Sequence, residues 1–99
     1  MSRSSPTPEE GGEGRLRLDL FLKRSRLVKR RPLAATLCEN GWVRLNGREA
    51  PPGKGVRPGD RIAVRFPREE VTVEVLALPG RSGGTDCYRE LERRKVEEF

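Results

Sequence analysis

Residues 15–47 read RLRLDLFLKRSRLVKRRPLAATLCENGWVRLNG, and the order of two periodicities within them decides the fold. Leu18, Phe21, Leu22, Ser25 and Val28 recur at intervals of three and four, the pattern of one buried face of an amphipathic helix about three turns long. Pro32 suits the first turn of a second helix, where its missing N–H does no harm. Leu33, Ala34, Leu37 and Cys38 supply that helix's apolar stripe, and Gly41 after Asn40 is a left-handed helix stop. Alternation then takes over. Val43 and Leu45 point one way, Trp42 and Arg44 the other, so residues 42–46 read as a strand. Asn46-Gly47 is the preferred pair for a type I′ hairpin turn, returning through Arg48 to Ala50.

Outward from this stretch, residues 51–60 (PPGKGVRPGD) read as a turn-rich loop, followed by a strand marked by Ile62, Val64 and Phe66. A turn at 67–70 leads to a partner strand through Val71, Val73 and Val75, running to Leu78. Residues 79–84 (PGRSGG) read as a flexible linker and 88–99 as a short polar helix. Residues 1–14 hold almost nothing apolar, cannot offset their ordering entropy, and are expected to be disordered. The expectation is an α+β domain over 15–78, with two helices packed on a small, mostly antiparallel sheet of four or five strands, and a polar tail over 79–99. Leu18, Phe21, Leu22, Leu37, Val43, Leu45, Ile62, Val64, Val73 and Val75 are the expected core.

Ninety-nine residues bury only a modest core, which leaves little room for a closed catalytic pocket. The net charge of +6 conceals a segregation. Residues 15–68 carry 15 Lys/Arg against 4 Asp/Glu, or +11, between ends that are each mildly acidic. A basic body of this kind points to a polyanion. A membrane surface fits less well, because no segment opposes a basic face to a wide Trp/Phe/Leu face. No stretch approaches the roughly 18 apolar residues of a span, and the N-terminus lacks the apolar core of a signal peptide. A cytoplasmic protein is expected, with Cys38 and Cys87 unbridged.

Eight of the basic residues lie between Arg15 and Arg31, with Asp19 as the lone acid. Helical spacing sets Arg17, Arg24 and Arg31 seven apart, flanked by Lys23, Arg26 and Arg30. Like charges so crowded, without interleaved acids, cost a helix stability. Phosphate contact accounts for them, and arginine suits it through bidentate geometry. Asp19 reads either as a structural ion pair that aligns Arg17 or the second helix, or as a catalytic carboxylate. The second role lacks a neighbouring acid or histidine. Arg44 and Arg48 flank the hairpin turn and could extend the basic surface onto the sheet, although the turn alone explains Asn46-Gly47. Trp42 and Phe66 could stack on bases, but at strand boundaries core packing is the commoner role for aromatics. Gly53-Lys54-Gly55 lacks the spacing of a phosphate loop. The chain contains no histidine, Ser25 has no base to activate it, and two cysteines cannot form a zinc site alone. No enzyme, cofactor or metal is expected.

The segments RLDLFLKRSRLVKRR and PLAATLCENGWVRLNG resemble the alpha-L RNA-binding module first described in small-subunit ribosomal protein four. The resemblance spans about residues 15–78. Its stand-alone form, with Lys-Arg-Arg after the first helix, is similar to the fifteen-kilodalton heat-shock protein family and the bacterial ribosome-associated quality-control protein P family. The resemblance implies binding to large-subunit ribosomal RNA and to tRNA when peptidyl-tRNA is trapped on the large subunit, beside a NEMF-type quality-control factor. It implies RNA contacts at Arg17, Asp19, Lys23, Arg26, Lys29, Arg30 and Arg31, with Asn46 and Arg48 as weaker candidates. Arg24 joins them on spacing. Two features depart from the pattern: Pro32 stands where Ser or Thr is common, and the N-terminal extension is long. A monomer is expected. Two rival roles are a ribosome assembly or constitutive ribosomal protein, and a detached targeting domain of an RNA-modifying enzyme.

Overall fold

The computed structural model describes residues 14–96, so the extension expected to be disordered lies, apart from Gly14, outside the described residues. Strand β1, Leu16–Arg17, runs directly into helix α1, Leu18–Arg24. Leu18, Phe21 and Leu22 are completely buried along one face of this helix. No side chain caps its start. Instead, the Leu18 and Asp19 N–H groups donate to the carbonyls of Lys54 (2.8 Å) and Pro52 (3.0 Å), which satisfies donors that the helix cannot.

The helix is shorter than the three turns expected. The Ser25 hydroxyl donates to the Leu22 carbonyl (3.1 Å), a local bond of the kind that competes with the helical ladder. Arg26 then takes a left-handed φ of 69°. Val28 still reaches the core, but from a turn in which its N–H meets the Leu22 carbonyl at 3.0 Å.

Helix α2, Arg31–Glu39, begins with Pro32 in its first turn as expected. It buries Ala34, Leu37 and Cys38, whereas Leu33, expected in that stripe, is 49% exposed. The three buried positions define a face about 90° round the helix from residue 33. Gly41 ends the connection at a φ of 77°.

Five antiparallel strands follow in the spatial order β3-β2-β5-β6-β7. They are β2 (Val43–Leu45), β3 (Arg48–Glu49), β5 (Arg61–Arg65), β6 (Glu69–Val75) and β7 (Tyr88–Lys95). The β2–β3 turn is Asn46-Gly47 with φ of 53° and 87°, as a type I′ hairpin requires. The loop expected over 51–60 contains a short strand, β4 (Gly55–Val56), paired antiparallel with β1. Every residue of the expected core is buried, together with Val56 and Val71, in one cluster between the helices and one face of the sheet.

Residues 88–95, expected to begin a polar helix, are instead β7, paired with β6 from Val75↔Tyr88 to Glu69↔Lys95. Glu, Leu, Arg and Lys favour helices weakly, and the hydrogen-bonding edge of β6 outweighs that preference. The register steps from Thr72↔Glu92 to Val73↔Glu90, which leaves Leu91 as a bulge. The stretch expected as a linker is anchored: the Gly84 N–H donates to the Arg24 carbonyl at 2.9 Å. At Gly83, with φ of 72°, a Cβ would lie 2.5 Å from that same carbonyl oxygen, so only glycine fits.

Candidate nucleic-acid interface

Asp19 sits at the junction of the two helices. It lies in the first turn of α1 with its side chain only 3% exposed, and it accepts from arginines on both sides. Arg17 donates through Nε to Oδ1 (3.2 Å) and through Nη2 to Oδ2 (3.3 Å). Arg31, the first residue of α2, donates through Nε to Oδ2 at 3.3 Å. One buried carboxylate thus joins residues that β1 and α2 carry separately. The heptad spacing of Arg17, Arg24 and Arg31 anticipated a common helical face, but the three fall at the end of β1, the end of α1 and the start of α2. Asp19, not helical phase, brings Arg17 and Arg31 together, in the ion-pair role that the sequence offered it.

Around this junction Lys23, Arg26, Lys29 and Arg30 are exposed and Arg24 is half-exposed. Lys23 and Arg24 form the last turn of α1, where cations complement the helix dipole. Arg26 occupies the left-handed position of the turn, and Arg30 is the N-terminal cap of α2, making no side-chain cap bond. Among the described residues none of these five has an ion-pair partner.

The cations of β7 behave differently. Arg89 pairs with Glu74 at 2.7 Å, Arg93 with Glu69 (2.6 Å) and Glu90 (2.9 Å), and Arg94 with Glu70 and Glu92. The Arg93 hydrogen bonds hold the Glu90 carboxyl below the usual carboxylate range. Arg89, Arg93 and Arg94 therefore use their charge within the sheet, while the cations of residues 23–30 do not. The sequence segregated the charges, and the structure adds that the densest run of uncompensated cations lies between residues 23 and 30.

The hairpin candidates divide. The Asn46 amide clips the loop before β5, donating to Asp60 Oδ1 (3.1 Å) and accepting from the Arg61 N–H (2.9 Å). Arg48 lies opposite Leu45 and thus on the helix side of the sheet edge, while Arg44 faces the other side opposite Glu49. Sequence reasoning missed Arg44 and Arg65 as a pair. They share with Trp42 the outward parity of β2 and β5, a signal that only the strand register makes readable.

Cys38 and Cys87 are buried free thiols. Burial, with Asp19 and then Glu39 adding to it, pushes the Cys38 thiol up to about 12. Among the described residues no His/Cys/Asp/Glu group could hold a metal ion, and no helix is long and apolar enough to cross a membrane.

The S4 domain family model matches residues 16–62, from β1 into β5. The RQC P-site tRNA stabilizing factor of Halalkalibacterium halodurans is 50% identical over 60 residues, covering 61% of this chain and 68% of that one. Its Bacillus subtilis counterpart is 40% identical over 86 residues, covering 84% of this chain and 100% of that one. Among solved structures, trimeric Heat Shock Protein 15 of Vibrio cholerae is similar, with a TM-score of 0.72 and 33% identity over 78% of this chain and 82% of that one.

Proposed function

Because the chain belongs to the family of RQC P-site tRNA stabilizing factors, an S4-domain family, we propose that it binds the large ribosomal subunit and tRNA in quality control of stalled ribosomes. It acts in the cytoplasm by binding, without catalysing a reaction, beside a NEMF-type quality-control factor. The observation that carries this reading is the cluster of uncompensated cations around the helix junction, in a protein that pairs the arginines of β7 within its sheet. Lys23, Arg24, Arg26, Lys29 and Arg30 meet phosphates directly. Arg17 and Arg31 do so in an orientation fixed by Asp19, which is a positioning residue. Asn46 and Arg48 lie at the rim, and Asn46 chiefly holds the hairpin in place.

Ribosomal RNA and tRNA repel one another. A small cationic wedge between them replaces that repulsion with two attractions, which is how a protein without a catalytic centre can hold a tRNA in place. The direct test is co-sedimentation with large subunits that carry peptidyl-tRNA and with empty ones. Preferential, substoichiometric binding to the loaded subunits supports the proposal. One copy per subunit after a salt wash, regardless of tRNA, favours a constitutive or assembly protein instead. If about five phosphates are engaged, raising salt from roughly 50 to 200 mM should weaken binding by two to three powers of ten.

A further inference from the structure

The face of the sheet turned away from the helices carries, among the described residues, an exposed tryptophan and unpaired arginines. Val43 and Val64 point into the core, so Trp42, Arg44, Ala63 and Arg65 point outward. The Arg65 N–H donates to the Trp42 carbonyl at 2.8 Å, which sets Arg65 beside the indole. These residues, with Gly41, Phe66, Pro67 and Glu70, line an open cleft of about 370 Å³.

Trp42 is 42% exposed, which is costly for so large an aromatic surface unless something covers it. Arg44 and Arg65 are exposed on either side and have no ion-pair partner among the described residues. Glu70 is the one acid of the lining, and Arg94 already holds its carboxylate. The cleft therefore offers an aromatic surface and two guanidinium groups, with the Glu70 carboxylate neutralised by Arg94 and that of Glu49 at its rim beside Gly41. An apolar peptide would bury those guanidinium groups unpaired, at a high cost. An unpaired nucleotide supplies both a flat π face and an anion.

We propose that this cleft holds one unpaired nucleotide of RNA, its base stacked on Trp42 and its phosphate met by Arg44 and Arg65. The proposal rests on the RNA-binding reading above and adds a contact on the opposite side of the sheet from the helices. It explains why the outer face of β2 and the end of β5 leave arginines unpaired when the neighbouring β6–β7 surface pairs them across strands.

Trp42 is the only tryptophan of the chain, so its emission reports on the cleft alone. The full-length protein is titrated with a single-stranded octa-adenylate RNA and, separately, with inorganic polyphosphate of similar charge. The octa-adenylate should quench the emission saturably and polyphosphate should not. Trp42→Ala should weaken octa-adenylate binding by about tenfold, measured by anisotropy of labelled RNA, whereas Trp42→Phe should keep most of it. Arg65→Gln should weaken it without altering the unliganded spectrum. Equal quenching by polyphosphate, or no quenching by octa-adenylate in a protein that still sediments with ribosomes, would overturn the proposal alone. Failure to bind either ribosomes or RNA would bring down both readings.

Discussion

Replacing Asp19 by alanine separates two ways in which a basic surface can hold RNA. The substitution removes a buried carboxylate that accepts three hydrogen bonds of 3.2 to 3.3 Å from arginines that are 28% and 33% exposed. A hydrogen bond to a charged group is worth about 1.5–3 kcal/mol. These are longer than ideal, water reaches the arginine side, and bonds sharing one acceptor group are not additive. A net loss of about 2 kcal/mol is the reasonable figure, or some 8–16 °C in the melting temperature of a domain this small. The effect on RNA runs against simple charge. Losing one acid raises the formal net charge of +6 by one unit, so a surface that worked by bulk attraction would bind more tightly. If Asp19 aims Arg17 and Arg31, ribosome association should instead weaken by about an order of magnitude, the equivalent of one well-placed contact. Thermal circular dichroism and co-sedimentation at fixed salt, well below the melting temperature, give the two readouts. An unchanged melting temperature, or tighter binding by the folded variant, would refute the positioning role.

Phe21→Ala empties the centre of the core and should cost about 3–5 kcal/mol, enough to unfold much of the protein at 37 °C; an unaltered melting curve would show that Phe21 does not pack there. Arg30→Glu should abolish ribosome sedimentation with normal circular dichroism, while Arg3→Glu, outside the described residues, makes the same charge change with little effect. Equal losses would point to bulk charge. Arg31→Glu is a poorer probe, since it sets a second carboxylate against buried Asp19 and should lower the melting temperature as well. Neutralising Arg93 and Arg94 together with glutamine should leave RNA affinity within about twofold, because both are already paired within the sheet; a large loss would place β7 in the interface. Burial holds the Cys38 thiol protonated in the folded state up to about pH 12, against an ordinary value of 9.0. Its contribution to stability is therefore intact below pH 9 and declines as pH rises towards 12. Denaturant titrations across that range should show the decline in the native chain and a smaller one in Cys38→Ala.

Much of this fold was legible because the residues that build it have few alternatives. Asn46-Gly47 and Gly41 fix turns by their left-handed backbone, and the alternation at Val43, Leu45, Ile62, Val64, Val71, Val73 and Val75 makes sense only as strands. The early end of α1 was hidden, since Ser25 continues the helical spacing while its hydroxyl competes with the next turn. Strand β7 was hidden for a related reason: residues 88–95 have helix-forming side chains and no apolar alternation, and their conformation is set by the edge of β6, far away in sequence. At the candidate site, composition revealed the crowd of cations and the odd acid among them. It could not reveal which cations are compensated, because Arg93 pairs across strands with a residue 24 positions away. That accounting requires the register.

Sheets with free margins invite other chains to knit onto them, and among the described residues this one has two. One margin is β3, only two residues long. The other is β7, where Arg89, Glu90, Glu92, Arg93, Arg94 and Lys95 are all exposed and a bulge at Leu91 breaks the even spacing of the backbone. A strand arriving at β7 would have to strip water from a dense row of ions and match an irregular ladder. A brief margin and an ionic, uneven one discourage fibrillar growth along the sheet. For a basic protein that gathers on polyanions, crowding can then raise local concentration without seeding aggregates, and the ion pairs of β7 act as a guard on solubility.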